Sequence, residues 1–168
     1  MGVQDLDAVV QETVRRQQTT EETRALVERC RAKGIEGINM DLMYGLPEQS
    51  EEGFASTLEE VVRLSPDRLA VFGYAHVPWL KPAQKALEAY AMPGPEDRAR
   101  LFGLALQHLT EGDYLVIGLD HFARRDDAMA KALSDGTLHR NFMGYAVMPG
   151  RDMVGFGMSA IGDMDGSF

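Results

Sequence analysis

Apolar positions recur at helical spacing over long stretches of the chain and form short continuous runs between them, and this alternation predicts the elements. Leu6, Val10 and Val14 repeat every four residues behind Asp5 and Asp7, so a short amphipathic helix follows a brief extended start and closes at Arg15-Arg16-Gln17-Gln18. Thr19-Thr20-Glu21-Glu22 has capping-box spacing, Leu26, Val27 and Cys30 make the next apolar stripe, and Gly34 stops that second helix. Gly37 to Tyr44 is short and apolar-rich, bounded by Gly34 and Gly45-Leu46-Pro47, which predicts a buried strand ending in a sharp turn. Ser50 opens a third helix with Phe54, Leu58, Val61 and Val62 inward, stopped by Ser65-Pro66. Arg68 to Tyr74 is a second strand, followed by the loop Ala75-His76-Val77-Pro78-Trp79-Leu80-Lys81-Pro82. Pro95 stands where a first helical residue belongs, Leu101, Leu104, Ala105 and Leu109 repeat behind it, and Gly112 ends the pattern. Tyr114 to Gly118 is a third strand, a short helix is expected around Met129 to Leu133, and the tail from Val154 to Ile161 is rich in glycine.

Strands alternating with helices imply βαβ units, and units of this number make a half TIM-like barrel of parallel strands with outer helices. In such folds reacting groups sit at the C-terminal strand ends, where this chain carries Asp41, Tyr74 with His76, and Asp120 with His121.

Composition narrows the class. The 168 residues are 45% hydrophobic and 26% charged, which suits one soluble globular domain and neither a disordered nor a membrane-spanning chain. Against 17 Lys and Arg stand 26 Asp and Glu, a net charge of -9 that disfavours nucleic acid and anionic membrane as partners. The opening residues lack the basic and apolar regions of a signal peptide and the single cysteine, Cys30, cannot form an internal disulfide, so a cytoplasmic location is expected. One cysteine also excludes any cysteine-built zinc or iron-sulfur site supplied by this chain alone.

Several constellations could carry chemistry. Asp41 interrupts an apolar strand, and a buried carboxylate needs a partner, either an arginine such as Arg16 or a ligand hydroxyl or amine. Asp41, His76, Asp120 and His121 could hold zinc or manganese in a barrel hydrolase, although no His-x-His pair fixes two ligands on one element. Arg124, Arg125, His139 and Arg140 gather positive charge that would suit a polycarboxylate, or would simply pair with Asp126 and Asp127. The run from Gly155 to Gly162 is glycine-rich without opening a helix, which suggests close backbone approach and no dinucleotide fingerprint.

Taken together, Gly2-Val3-Gln4-Asp5, Asp41-Leu42-Met43-Tyr44-Gly45-Leu46-Pro47, Tyr74-Ala75-His76-Val77-Pro78, Asp120-His121-Phe122-Ala123-Arg124 and His139-Arg140-Asn141-Phe142-Met143-Gly144-Tyr145 resemble the oxygen-independent coproporphyrinogen III oxidases, radical S-adenosylmethionine enzymes of haem biosynthesis. The resemblance runs from Val3 to about Ile161 and implies that residues 1–168 are the C-terminal portion of a radical SAM partial barrel. It implies S-adenosylmethionine, two molecules in the intact enzyme, with Gln4, Arg16, Asp41, Ala75 and Ile161 among the contacts. It implies also a 4Fe-4S cluster whose Cys-x3-Cys-x2-Cys ligands belong to an N-terminal part this chain lacks, and a helical C-terminal domain that it lacks too, so the chain alone is expected to be inactive. The implied reaction is oxidative decarboxylation of coproporphyrinogen III propionates to vinyl groups. Arg124 and Arg140 would suit the carboxylates of this tetrapyrrole substrate; the electron donor and the catalytic residues stay unassigned. A haem-binding chaperone-like relative and the metal-dependent hydrolase remain the alternatives. A half-barrel should also expose apolar strand edge and self-associate.

Overall fold

The computed structural model describes residues 1–141, 144–147, 152, 154–158, 160–162 and 164. The chain divides into two compact units, Met1–Arg125 and Asp126–Phe168.

The first unit is a five-stranded sheet with its three longer helices against one face. Its strands are β1 (Gly2–Gln4), β2 (Asn39–Tyr44), β3 (Arg68–Gly73), β4 (Tyr114–Gly118) and β5 (His121–Arg124), in the spatial order β1-β2-β3-β5-β4. The helices are α1 (Ala8–Thr13), α2 (Thr20–Ala32), α3 (Glu51–Leu64) and α4 (Pro95–Glu111), with a 3-10 helix at Pro82–Ala89.

Local chemistry explains the helix limits. Thr19 and Glu22 form the reciprocal capping box anticipated for α2, and Gly34 just beyond the helix has φ +77°. The Ser50 side chain caps α3, and Ser65 closes it in the left-handed region at φ +51°. Alternation along the strands then selects the buried face. Met40 and Leu42 of β2 and Leu69 and Val71 of β3 are fully buried against Phe54, Leu58 and Val61 of α3 and Leu101, Ala105 and Leu109 of α4. Asn39, Asp41 and Met43 turn to the other face and are half-buried.

β1, β2 and β3 are parallel, as expected, but the sheet is not wholly so. β5 runs antiparallel to both neighbours, pairing Leu69 with Phe122 and Val116 with Phe122. The expected strand at Tyr114–Gly118 exists, yet it hairpins through Leu119, at φ +50°, and β5 slots between it and β3. The periodicity of so short a strand gives no warning: Phe122 and Ala123 are both completely buried, so no polar-apolar alternation marks it.

The second unit contains α5 (Ala128–Ser134), which coincides with the expected short helix, and the hairpin β6 (His139–Asn141) with β7 (Gly144–Ala146). In its tail, a Cβ on Gly155 would lie 2.7 Å from the Ile161 carbonyl oxygen, so the close approach its glycines permit is to the chain's own backbone. Phe142 and Met143 of the motif from His139 to Tyr145, and Ser159 of the glycine-rich run, lie outside the described residues.

Candidate functional site

At the sheet edge, Gly2 and Asp41 are register partners on β1 and β2. Gln4 has φ +69°, which folds its side chain back so that Nε2 lies 2.6 Å from where a Gly2 Cβ would stand. The Arg16 guanidinium reaches the same spot, with Nη2 2.9 Å from that position and donating to the Gly2 carbonyl at 2.7 Å. Glycine is therefore what allows an amide and a guanidinium to lie over this strand beside Asp41. The Gln4 Oε1 is buried and has no hydrogen-bond partner, an acceptor left without its donor.

Asp41 differs from its expectation. It lies within β2 rather than at its end, is half-buried, and accepts from Asn39 Nδ2 at 2.7 Å. β2 runs three residues past it because β3 continues the ladder to the Tyr44–Gly73 pair. Among the described residues no ion pair joins Asp41 to Arg16; one Arg16 donor, on Nη2, goes to the Gly2 carbonyl and leaves the others of the guanidinium available.

The deeply buried carboxylate is Asp5 instead, which is 1% exposed. It accepts from Thr57 Oγ1 at 2.6 Å, Gln49 Nε2 at 2.6 Å and the Asp7 amide at 2.8 Å. Burial pushes its carboxyl above the ordinary range, against the pull of those three bonds. Gln49 Oε1 in turn accepts from the Gly45 amide at 2.6 Å, which ties the end of β1 to the turn after β2.

At the end of β3, Tyr74 continues the ladder by donating its amide to the Tyr44 carbonyl at 2.8 Å, and Ala75 emerges exposed. Gln84 holds the following loop, donating to the Ala75 carbonyl at 3.0 Å and accepting from the Val77 amide at 2.6 Å. The Tyr74 hydroxyl is buried beside Val10 and Leu46 without a partner, and desolvation raises its pKa. His76 Nε2 lies 3.3 Å from Glu88 Oε1, while its Nδ1 is buried and unpartnered.

The four residues weighed as possible metal ligands do not assemble into one site. His76 takes Glu88, and His121 Nδ1 sits 2.6 Å from Asp120 Oδ1. Among the described residues no group of three or more His, Cys, Asp or Glu is placed to hold a metal.

The basic residues of the first unit do not gather at the Tyr74 end of the sheet. Because β5 runs backwards, it carries Arg124 away from the Tyr74 end of the sheet to the opposite one, where its amide bonds the Asp67 carbonyl and its guanidinium donates to Ser65 Oγ at 2.8 Å. Arg124 therefore does not stand at the strand ends, where a substrate arginine is expected. Arg125 pairs with Asp113 at 2.7 Å. In the second unit Arg140 packs over the Tyr145 ring at 5.9 Å, and Ile161 is partly exposed.

Sequence reasoning misses Asp5, Gln49, Gln84 and Arg98. Arg98 has a legible signal: it stands on the inward stripe of α4, three residues before Leu101, where a charge requires a reason. A surface cleft lined by Glu48, Gln49, Ser50, Met92 and Asp97 contains none of the predicted site residues.

No protein-family model matches the chain. It is 45% identical over 161 residues to an oxygen-independent coproporphyrinogen III oxidase of Cereibacter sphaeroides, an alignment covering 96% of this chain and 36% of the relative. It is 47% identical to the enzyme of that name from Pseudomonas aeruginosa, over 96% of this chain and 35% of the relative. The solved structure of the Escherichia coli coproporphyrinogen III oxidase, described as a radical SAM enzyme, superposes with a TM-score of 0.93 at 45% identity, over 99% of this chain and 38% of that one. The chain thus spans about a third of the length of the proteins it matches. No described helix is long and apolar enough to cross a membrane.

Proposed function

Because this chain is a homologue of one segment of the oxygen-independent coproporphyrinogen III oxidases, we propose that it is part of such an enzyme and contributes one wall of its S-adenosylmethionine pocket. The mixed sheet is then an arc of a larger radical SAM barrel, with β1 and β4 as the edges where further strands would pair. The whole enzyme would convert coproporphyrinogen III propionates to vinyl groups.

The observation that carries the pocket is the buried, partnerless Gln4 Oε1, held beside the Arg16 guanidinium on the strand whose register partner is Asp41. An acceptor amide, a fixed cation and a half-buried carboxylate side by side suit a ligand that is a zwitterionic amino acid joined to a ribose. Arg16 offers donors to a carboxylate, while Asp41 and Gln4 accept from an ammonium or from sugar hydroxyls. Ala75, exposed at the end of β3, offers backbone to the same ligand. Bound there, S-adenosylmethionine would supply, on one-electron reduction by the whole enzyme's iron-sulfur cluster and with methionine leaving, the alkyl radical for hydrogen abstraction. The chain's own part is to orient it and to keep water from its polar groups. Arg140 is the arginine retained as a candidate for the propionates, Arg124 having lost its position. Ile161 is retained as a contact to a second cofactor molecule.

The cluster does not fit this chain. One cysteine, Cys30 on α2, cannot supply three thiolates, and no step through a cluster is assigned to these residues.

The test is anaerobic reconstitution with iron and sulfide, followed by paramagnetic resonance and an assay for vinyl product from coproporphyrinogen III. The chain alone should give neither signal nor turnover, and both should appear when an upstream segment bearing three cluster cysteines is joined to it. Turnover by the chain alone, or inactivity of the joined protein carrying a full cluster, would refute the proposal.

A further inference from the structure

We infer that Arg98 is a positioning residue, a clamp that sets the backbone of the strand end at Tyr74-Ala75. Arg98 rises from the first turns of α4 into the angle between the ends of β2 and β3. Its Nη1 donates to the Tyr74 carbonyl at 2.8 Å, and its guanidinium carbon lies 5.7 Å from the centre of the Tyr44 ring. One helical turn further on, Phe102 packs the same ring at 5.3 Å, so Tyr44 is gripped by two side chains of one helix face.

The two glycines nearby show how closely this place is fitted. A Cβ on Gly45 would stand 2.6 Å from Arg98 Nη1, and Gly45 also needs its φ of +81°. A Cβ on Gly73 would stand 3.0 Å from the Tyr44 hydroxyl and 3.2 Å from Arg98 Nη2. Gly73 has no such backbone demand, so its lack of a side chain serves clearance for the clamp. The carbonyl that Arg98 holds belongs to the peptide whose nitrogen is that of Ala75. Fixing its oxygen therefore fixes the plane of the Tyr74–Ala75 peptide and the direction of the Ala75 N–H. Gln84 fixes the next carbonyl. Arg98 acts on the ligand only through this backbone.

A role in ligand binding rests on the proposed S-adenosylmethionine pocket; the clamp itself does not, and the experiment separates them. The 168-residue chain and its R98A, R98K and G73A variants would be compared by amide resonances of Ala75, His76 and Val77 and by calorimetric titration with S-adenosylmethionine. R98A should displace those three amides and weaken binding by about tenfold or more, since small misplacements of a contact are costly. R98K, which keeps a cation within reach of the Tyr74 carbonyl, should restore most of both. G73A, whose Cβ would press on the Tyr44 hydroxyl and Arg98 Nη2, should move the same amides by a smaller amount without touching the charge, and serves in its place should R98A not fold. If the unaltered chain binds no S-adenosylmethionine, the pocket proposal fails and the amides alone decide the clamp. Ala75–Val77 amides unmoved in both R98A and G73A, or binding unchanged in an R98A chain whose parent binds, would overturn the inference.

Discussion

Replacing Asp5 by asparagine removes a buried charge with almost no change in shape, yet it should destabilise the fold. Asp5 Oδ1 accepts from Thr57 Oγ1 and the Asp7 amide, and Oδ2 accepts from Gln49 Nε2. Gln49 cannot turn over to help. Its Oε1 is committed to the Gly45 amide at 2.6 Å and the Leu46 amide at 3.3 Å, and its Nε2 also donates to the Met43 carbonyl at 2.9 Å. In D5N one face keeps its acceptor, while the new amide nitrogen faces Gln49 Nε2, donor against donor. A protonated carboxyl would retain a lone pair on each oxygen; an amide nitrogen has none to offer. Losing one charge-assisted bond costs about 1.5–3 kcal/mol, and relief of the carboxylate's desolvation offsets part of that, leaving about 1–2 kcal/mol. Urea denaturation followed by two probes measures it. The pH dependence supplies a second arm. Burial holds the Asp5 carboxyl above its ordinary 3.8 in the fold. A raised folded value means that the folded state keeps the proton longer. The extra stability is therefore full below 3.8 and is lost as pH rises through the folded pKa, so the wild-type advantage over D5N should narrow across that interval. Q49E should be worse than D5N, because it sets two carboxylates face to face, and the double variant D5N/Q49E should recover part of the loss by restoring a donor-acceptor pair. A D5N chain as stable as wild type at neutral pH, or additive effects in the double variant, would refute this account of the network.

Three further outcomes follow from the fold. The buried Tyr114 hydroxyl donates to the Pro66 carbonyl at 2.6 Å, so Y114F should cost about 1–2 kcal/mol in the same urea assay. Desolvation raises the Tyr114 and Tyr74 phenols, so ultraviolet titration should show both ionising late, and stability should fall as pH rises above the unfolded tyrosine value near 10.0. The edges presented by β1 and β4 should make the chain self-associate despite its charge of -9, visible as a concentration-dependent sedimentation coefficient; a monomer at every concentration would contradict open pairing edges.

Part of the site is legible in the residues themselves. The family resemblance implies Gln4, Arg16 and Asp41 as cofactor contacts, and the fold lays Gln4 and Arg16 over Gly2, the register partner of Asp41. Which acidic residue goes under is not legible. Asp41 interrupts an apolar run and reads as buried, whereas Asp5 lies in a polar-looking opening segment. Depth depends on what packs across: Thr57 and Gln49 reach Asp5 from 52 and 44 residues away.

Features whose cause lies within one or two turns of chain follow from residue order alone. Thr19 with Glu22, Ser50, Pro95 and Gly34 set helix limits through hydrogen bonds and dihedral angles that involve only near neighbours, and apolar spacing assigns Phe54, Leu58 and Leu101 to the core. The direction and placement of β5 come instead from long-range packing. Four residues carry too little pattern to specify a partner, and the gap between β3 and β4 that receives them exists only once α4 has crossed the sheet. That one strand moves Arg124 from the Tyr74 end of the sheet to the opposite end. Arg98 illustrates the same division: its place on the inward stripe is written in the helical period, but its task depends on a carbonyl 24 residues away, brought within reach by the packing of α4 on the sheet.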